Sequence, residues 1–317
     1  MSANADRPQL SICIVNWNTK NLLKDCLNSI YADPQIVIWE VVVVDNASTD
    51  DSVQMVRSTF PQVHLVISDE NLGFVGGNNL AIERARGDYL LLLNSDTRVE
   101  PGVLGSLVDF LASHPDAGAA GPRLVGADGG LQLSCGRPPG LASEFVNKLL
   151  LHKLLPFFKF GRWDHAEIRE VGWITGACLL VRREVVEQLG PLDPAIFMFY
   201  EDLEFCMRIR RAGWKILYHP FSQILHLGGQ STRKNLRNML VISQRSLFYL
   251  FQKHFGRGHL HFLRLLTAVE MVLRSLVWGF LFLFLPARRS EARQRLQAYR
   301  QIFWKSLAQR SYWSPLE

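Results

Sequence analysis

Tyr89-Leu90-Leu91-Leu92-Leu93-Asn94-Ser95-Asp96 is the run that decides the fold class. An unbroken apolar run of this length reads as a strand buried on both faces, and such strands belong to parallel sheets covered by helices on either side. It stops abruptly at oxygen-bearing side chains. In open α/β sheets the chemistry gathers beyond the carboxyl ends of the strands. Side chains alternate along extended backbone, so Asn94 and Asp96 point the same way and could hold a hard cation bound to phosphate oxygens. The same residues also suit a plain Asn/Ser/Asp turn.

The neighbouring segments repeat the pattern. Leu10–Val15 is an apolar strand ending at Asn16-Trp17-Asn18, followed by helical spacing from Thr19 to Ile30. Glu40–Val44 is a second strand, stopping at Asp45-Asn46-Ala47-Ser48-Thr49-Asp50, which offers N-caps for a helix running to about Thr59. Val63–Ile67 is a third, followed by the glycine-rich segment Asn71–Asn79 and a helix to Ala85. Strands alternating with helices at this spacing imply right-handed βαβ crossovers and a parallel sheet, hence an α/β fold. Past a helix ending near Ser113, residues 118–140 read as loops around small strands, and 141–170 as an amphipathic element or a flap. Val171–Val181 resumes a strand pattern. Short helices follow at Arg183–Leu189 and Leu203–Ala212, with strands at Trp214–Tyr218 and Ile224–Leu227.

Composition bounds the answer further. The chain has 317 residues, 48% hydrophobic and 20% charged, a composition that points neither to a disordered chain nor to a multi-span membrane protein. Its charge is uneven. Residues 231–317 hold 15 Lys and Arg against three acidic residues, net +12, while the rest carries −6. That asymmetry calls for an anionic surface, nucleic acid or membrane lipid. The five cysteines are scattered without a Cys-x-x-Cys and read as reduced, buried small hydrophobes. Met1 to Leu10 has no secretory pattern, so the expectation is cytoplasmic.

In a parallel sheet, the strand ends at Asn16, Asp45 and Asn94/Asp96 share one edge and one crevice. No Gly-x-Gly-x-x-Gly follows the first strand and no Gly-x-x-x-x-Gly-Lys occurs, which argues against dinucleotide binding and nucleoside triphosphate hydrolysis. Ile14-Val15-Asn16-Trp17-Asn18, Val43 through Asp50, Asn71-Leu72-Gly73 through Asn78, Leu93 through Asp96, Tyr200-Glu201-Asp202-Leu203-Glu204 and His226 stand in a telling order. They resemble family 2 inverting glycosyltransferases with the GT-A fold, and within that family the bacterial rhamnosyltransferases of cell-wall and O-antigen synthesis. The resemblance covers roughly residues 9–232. It implies a Rossmann-like, mostly parallel sheet flanked by helices, with 1–232 as the transferase domain and 233–317 as a basic, apolar helical region.

The resemblance also implies roles. Asp45 matches the acid that meets the donor's pyrimidine base, with Asn16 completing that pocket. Asn71, Gly73 and Asn78 stand where the family's loop approaches the nucleotide. Asn94-Ser95-Asp96 takes the place of the Asp-x-Asp motif with its first acid replaced, so Asp96 is the expected metal ligand, helped by His226. Imidazole plus oxygen suits Mn²⁺ and tolerates Mg²⁺. Asp202 is the expected base that takes the acceptor's proton, kept ionised by the helix it opens, and Glu201 is expected to bind acceptor hydroxyls. Trp173, Thr175 and Gly176 match the acceptor-site segment, where an indole face suits a sugar ring.

The implied reaction moves a sugar, first of all L-rhamnose from dTDP-rhamnose, onto a polyprenyl-diphosphate-linked saccharide. A UDP-sugar donor and a catalytically inactive nucleotide-sugar-binding membrane subunit stand as alternatives, the latter because of Asn94.

In residues 233–317, Leu265–Leu285 is strongly apolar but contains Glu270 and Arg274, able to pair four apart. The uncharged part, Ser275–Leu285, falls short of the roughly 20 residues that span a bilayer. A helix in the membrane interface or packed on a partner is expected, with Arg288, Arg289, Arg293 and Arg295 meeting anionic head groups; a core helix of a small bundle is the alternative. The apolar run is unlike a solvated nucleic-acid stripe. The expected place is the cytoplasmic face of the inner membrane, peripheral or monotopic, and a homo-oligomer is compatible.

Overall fold

In a computed structural model the chain is described over residues 7–138, 140–149, 163–228 and 235–308. It divides into two compact units, one formed by 1–138, 163–194 and 201–231, the other by 139–162, 195–200 and 232–317. The expected flap lies in part outside the described residues.

The first unit is built on a sheet in the order β3 (His64–Ser68), β2 (Trp39–Asn46), β1 (Leu10–Asn16), β4 (Tyr89–Asn94), β11 (Cys178–Arg182), β6 (Ala117–Val125), β12 (Lys215–His226) and β5 (Thr97–Val99). Strands β1 (Leu10–Asn16), β2 (Trp39–Asn46), β3 (His64–Ser68) and β4 (Tyr89–Asn94) run parallel, joined by helices α1 (Lys20–Tyr31), α2 (Ser52–Thr59) and α3 (Gly73–Arg84). Their register sets Asn16 beside Asp45 and Val15 beside Asn94. The three strand ends therefore lie on one edge, as the sequence pattern predicts. Ile12, Ile14, Val41, Leu91 and Leu93 pack in one core with Leu23, Leu27 and Ile30 of α1 and with Leu104, Leu107 and Leu111 of α4 (Val103–Ala112). Burying each such side chain is worth roughly 1.5–3 kcal/mol. The all-apolar strand thus anchors the polar edge to the most buried part of the fold.

Three features depart from the sequence reading. The first is α3, which begins inside the glycine-rich segment, with Gly73 at φ +74°. A Cβ on Gly77 would stand 2.7 Å from Val15 Cγ1, so glycine is what lets this helix lie on β1. The second is β6 (Ala117–Val125), a buried central strand in a segment expected to be mostly loop. Ala-Gly-Ala-Ala-Gly lacks the β-branched signature of a strand, but small residues suit the space: a Cβ on Gly121 would stand 2.3 Å from Ile174. The third is β12 (Lys215–His226), one long strand where two were expected, with a register shift between His219 and Gln223 that accommodates Pro220.

The sheet is mixed. β11 (Cys178–Arg182) runs antiparallel to both β4 and β6, and β5 (Thr97–Val99) antiparallel to β12. An apolar run does not encode its direction, which is why the strand content was legible and the mixed polarity was not. Short strands β7 (Leu131–Gln132), β8 (Cys135–Gly136), β9 (Arg169–Glu170) and β10 (Trp173–Ile174), with helices α6 (Arg183–Leu189) and α7 (Glu201–Arg211), complete the unit. Glu204 and Arg208 pair at 2.9 Å along α7. All five cysteines are free and buried; burial pushes the thiols of Cys13, Cys26, Cys135 and Cys206 up to about 12, and raises Cys178 as well.

The second unit holds α5 (Leu141–Lys148), α8 (Leu236–Phe255), α9 (Arg257–Phe284) and α10 (Arg289–Leu307). Gly256, at φ +84°, makes the corner between α8 and α9. α9 runs 28 residues without a break, long and apolar enough to cross a membrane by length and composition, although its uncharged stretch alone is not. One side packs inward through Leu260, Leu263, Leu266 and Met271, the last in a cluster with Tyr299 and Ile302 of α10. The other presents Leu265, Val269, Val272, Leu276, Phe280 and Leu283, all exposed, at spacings of three and four. Glu270 turns inward, where it takes Lys148 Nζ and Arg274 Nε, each at 2.8 Å, so the expected Glu270–Arg274 pair is extended by the buried Lys148.

Candidate active site

The polar edge of β1, β2 and β4 is one hydrogen-bonded structure. Asn16, fully buried, donates through Nδ2 to Asp45 Oδ2 at 2.9 Å and to Ser48 Oγ at 3.1 Å. Its Oδ1 accepts from Thr19 Oγ1 at 2.7 Å. Since that bond uses the only proton on the Thr19 hydroxyl, Ser95 is the donor in the 3.0 Å contact between Ser95 Oγ and Thr19 Oγ1. The chain of donors therefore runs from β4 through β1 into the Asp45 carboxylate, whose Oδ1 also accepts Ser48 N–H at 2.9 Å. Asp45 is held rigidly, and each of its oxygens keeps a second lone pair. Asn18 and Ala47, in the turns just past β1 and β2, hold positive φ of 54° and 62°, a conformation kept only where the surroundings over-determine it.

Asn46, which the sequence reading passed over as a capping residue, organises the glycine-rich turn. Its Nδ2 donates to Gly73 O at 2.9 Å and Asn71 Oδ1 at 3.0 Å, and its Oδ1 accepts Leu72 N–H at 2.8 Å. Asn71 Oδ1 also accepts Gly73 N–H at 2.9 Å. Asn71 and Gly73 thus stand at the end of β2. Asn78 is 1% exposed and donates its amide nitrogen to Phe74 O, 2.8 Å away within α3.

Asp96 and His226 meet. Asp96 Oδ1 lies 3.3 Å from His226 Nε2, and Asn94 Nδ2 lies 3.2 Å from the same nitrogen. The pairing of His226 with Thr97 across β12 and β5 brings the end of β12 to the end of β4. Cis ligands of an octahedral ion at about 2.1 Å stand roughly 3.0 Å apart, so a carboxylate oxygen and an imidazole nitrogen at this separation suit one divalent cation. No cluster of three or more His, Cys, Asp or Glu side chains occurs among the described residues. Two protein ligands leave most positions of such an ion for substrate oxygens and water.

Asp202 occupies the first turn of α7. Its Oδ2 accepts Gly176 N–H at 3.0 Å and its Oδ1 accepts Leu203 N–H at 2.7 Å. The next residue after Gly176, Ala177, accepts Asn94 N–H at 3.0 Å, so Thr175–Ala177 ties Asp202 to the end of β4. Phe74 packs where a Gly176 side chain would stand, 3.2 Å from the would-be Cβ. Thr175 is held by Ser134 O at 2.8 Å, and Trp173 sits on β10, paired with Gly136 of β8.

The helix end is not the strongest influence on the Asp202 carboxyl. Burial pushes its carboxyl upward, and this outweighs the pull of Gly176 N–H, Leu203 N–H and the Thr175 hydroxyl. Glu201 rises further, first through burial and then through the charge of Asp202. It is 6% exposed, and its Oε2 is buried without a hydrogen-bond partner. An unpartnered buried carboxyl is costly unless it is protonated or meets a ligand.

Sequence and structure comparisons agree with this architecture. Residues 11–190, more than half of the chain, match the family model described as Glycosyl transferase family 2. Among curated relatives, the N-acetylglucosaminyl-diphospho-decaprenol L-rhamnosyltransferase of Mycobacterium tuberculosis is 30% identical over 236 residues, covering 68% of this chain and 76% of its own. The low-salt glycan biosynthesis hexosyltransferase Agl10 of Haloferax volcanii is 28% identical over 211 residues, 64% of this chain and 62% of its own. Among solved structures, the mannosyltransferase PcManGT of Pyrobaculum calidifontis, in complex with GDP-Man and Mn²⁺, superposes with a TM-score of 0.57 at 19% identity, over 95% of this chain and 88% of its own. GalNAc-T7 with UDP, GalNAc and Mn²⁺ gives 0.55 at 17% identity, over 78% and 50%.

Proposed function

The chain belongs to glycosyltransferase family 2, and from that premise we propose that it transfers L-rhamnose from dTDP-rhamnose, with inversion, onto a polyprenyl-diphosphate-linked saccharide at a membrane surface. The observation that carries the reading is the shared polar edge: Asp45 and the Asn71–Gly73 turn for the nucleoside, Asp96 and His226 for a divalent metal, and Asp202 anchored to the same strand end through Gly176. The kinship with the mycobacterial rhamnosyltransferase supports both sugar and acceptor class.

In this reading Asp45 accepts from the pyrimidine with lone pairs left over from Asn16 and Ser48. Asp96 and His226 would hold Mn²⁺ or Mg²⁺, which when bound offsets the charge that develops on the departing diphosphate. Asp202 takes the proton of the attacking acceptor hydroxyl, and its upward-shifted carboxyl makes it a stronger base than an ordinary aspartate. Trp173, Thr175 and Glu201 bind the acceptor saccharide. The purified full chain, given dTDP-rhamnose, Mn²⁺ or Mg²⁺ and a polyprenyl-diphosphate-linked N-acetylglucosamine, should release dTDP and extend the lipid-linked sugar. Release of UDP from a UDP-sugar instead would replace the donor, and no turnover with any nucleotide sugar would leave the binding-subunit reading.

The membrane part rests on α9. Its exposed apolar stripe, set in a region of net charge +12, suits the interface of an anionic bilayer, lying in the plane with Arg288, Arg289, Arg293 and Arg295 near the head groups. The double substitution Leu276→Asp/Phe280→Asp should lower binding to vesicles containing anionic lipid by at least about tenfold, since each lost apolar contact is worth about 1.5–3 kcal/mol. Co-sedimentation unaffected by that change, or a DNA mobility shift in place of vesicle binding, would sink this part.

A further inference from the structure

His226 is gripped by a residue outside the motif stretches that carry the resemblance. Gln132, on the two-residue strand β7, donates through Nε2 to the main-chain carbonyl of His226 at 2.7 Å. Its Oε1 lies 2.9 Å from His226 Nδ1. One side chain thus holds both the backbone and the ring of the same histidine.

The polarity of this grip follows from a single fixed point. A carbonyl oxygen can only accept, so the nitrogen of the Gln132 amide must face His226 O, which turns its oxygen toward Nδ1. An amide oxygen also only accepts, so Nδ1 must carry the imidazole proton. In a neutral ring Nε2 is then left with its lone pair. On the far side two groups oppose each other: Asn94 presents its amide nitrogen, a donor that suits a bare Nε2, at 3.2 Å, while Asp96 Oδ1, an acceptor 3.3 Å away, would draw a proton to Nε2, so it is the grip of Gln132 on Nδ1 that keeps the proton there.

We propose that Gln132 is a positioning residue that fixes the tautomer of His226, holding the proton on Nδ1 against the pull of the Asp96 carboxylate, so that the Nε2 lone pair and Asp96 Oδ1 stand side by side, ready to share a divalent cation. Metal-bound histidines generally owe their orientation to a partner on the other ring nitrogen, and removing such a partner costs about 10–100-fold in metal affinity. An amide is a neutral partner, so the clamp sets direction without adding charge. It also gives Asn94 a role in the absence of metal, that of the donor that occupies the lone pair until a cation replaces it. The affinity part of the inference rests on the reading of Asp96 and His226 as metal ligands; the tautomer part does not.

The test separates the two. Long-range ¹H–¹⁵N correlation on the metal-free full chain at pH 8 should show His226 with Nδ1 protonated and Nε2 bare. In Gln132→Leu the proton should redistribute to Nε2, and Mn²⁺ affinity, followed by the loss of the free-ion EPR signal, should fall about 10–100-fold. Gln132→Glu, which keeps an acceptor for Nδ1–H, should retain the tautomer and stay within a few-fold of the wild-type affinity. Circular dichroism confirms that each variant is folded. A wild-type ring protonated at Nε2, or a folded Gln132→Leu with unchanged tautomer and affinity, overturns the proposal. Absence of Mn²⁺ binding in a wild type with the expected tautomer would overturn the metal reading and leave the clamp standing.

Discussion

Asp202→Asn is expected to cut turnover by about 10²–10⁴-fold, the range a positioned general base contributes, while nucleotide-sugar binding stays within a few-fold of the wild type. The amide oxygen can still accept Gly176 N–H, giving up only the Leu203 N–H contact at the start of the helix, so the loop keeps its anchor and the loss falls mainly on chemistry. The dependence on pH follows from burial. The group works as a base only when ionised, and burial raises the pH at which it ionises, so activity should be lost as pH falls through a value above the ordinary aspartate range of about 3.9. The acidic limb of kcat/KM should accordingly lie above that range and disappear in the variant. Rapid turnover by Asp202→Asn, with donor binding measured in parallel by calorimetry, would move the base elsewhere.

Asp96→Ala is the second change with a large expected effect. It removes the carboxylate that faces His226 Nε2 at 3.3 Å and leaves the imidazole as the lone protein ligand at that point. A metal ion at a leaving diphosphate supplies several kcal/mol of charge stabilisation, so turnover should fall by about 10³-fold or more and Mn²⁺ binding should be lost. Asn94→Ala is expected to be milder, within about tenfold, because Asn94 directs its amide nitrogen, which is no ligand, toward His226. Chelation of the wild type should reproduce the Asp96→Ala phenotype, with recovery on adding Mn²⁺. Full activity in the presence of chelator would refute the metal reading and leave the fold intact.

Much of the first unit could be read from its residues because hydrophobic pattern and strand termination report the same thing. Leu90–Leu93 and Val41–Val44 must be buried on both faces, and parallel registry then obliges Asn16, Asp45 and Asn94 to converge. β6 escaped because close packing selected small residues there, and a strand of alanine and glycine carries no periodic signal. The partners of the site residues escaped for a different reason. Asn46 sits in a motif that was read as helix capping, and Gln132 acts from a strand of two residues, so only the folded chain shows what either amide touches. The helical unit was legible as basic and apolar, but which of its apolar residues face inward was decided by the neighbours of α9.

The five buried cysteines give the protein its own assay for opening. A thiol held near 12 is almost wholly protonated at pH 8 and therefore a poor nucleophile, and burial also denies a reagent access. Cys13 and Cys178 lie on the two core strands that flank β4 and Cys26 on the helix packed against the sheet, so a maleimide that labels them reports exposure of the first unit's core rather than fraying at its surface. Mass spectrometry that counts alkylated thiols can then distinguish a substitution that has disabled the chemistry from one that has loosened the scaffold, with no probe added to the chain.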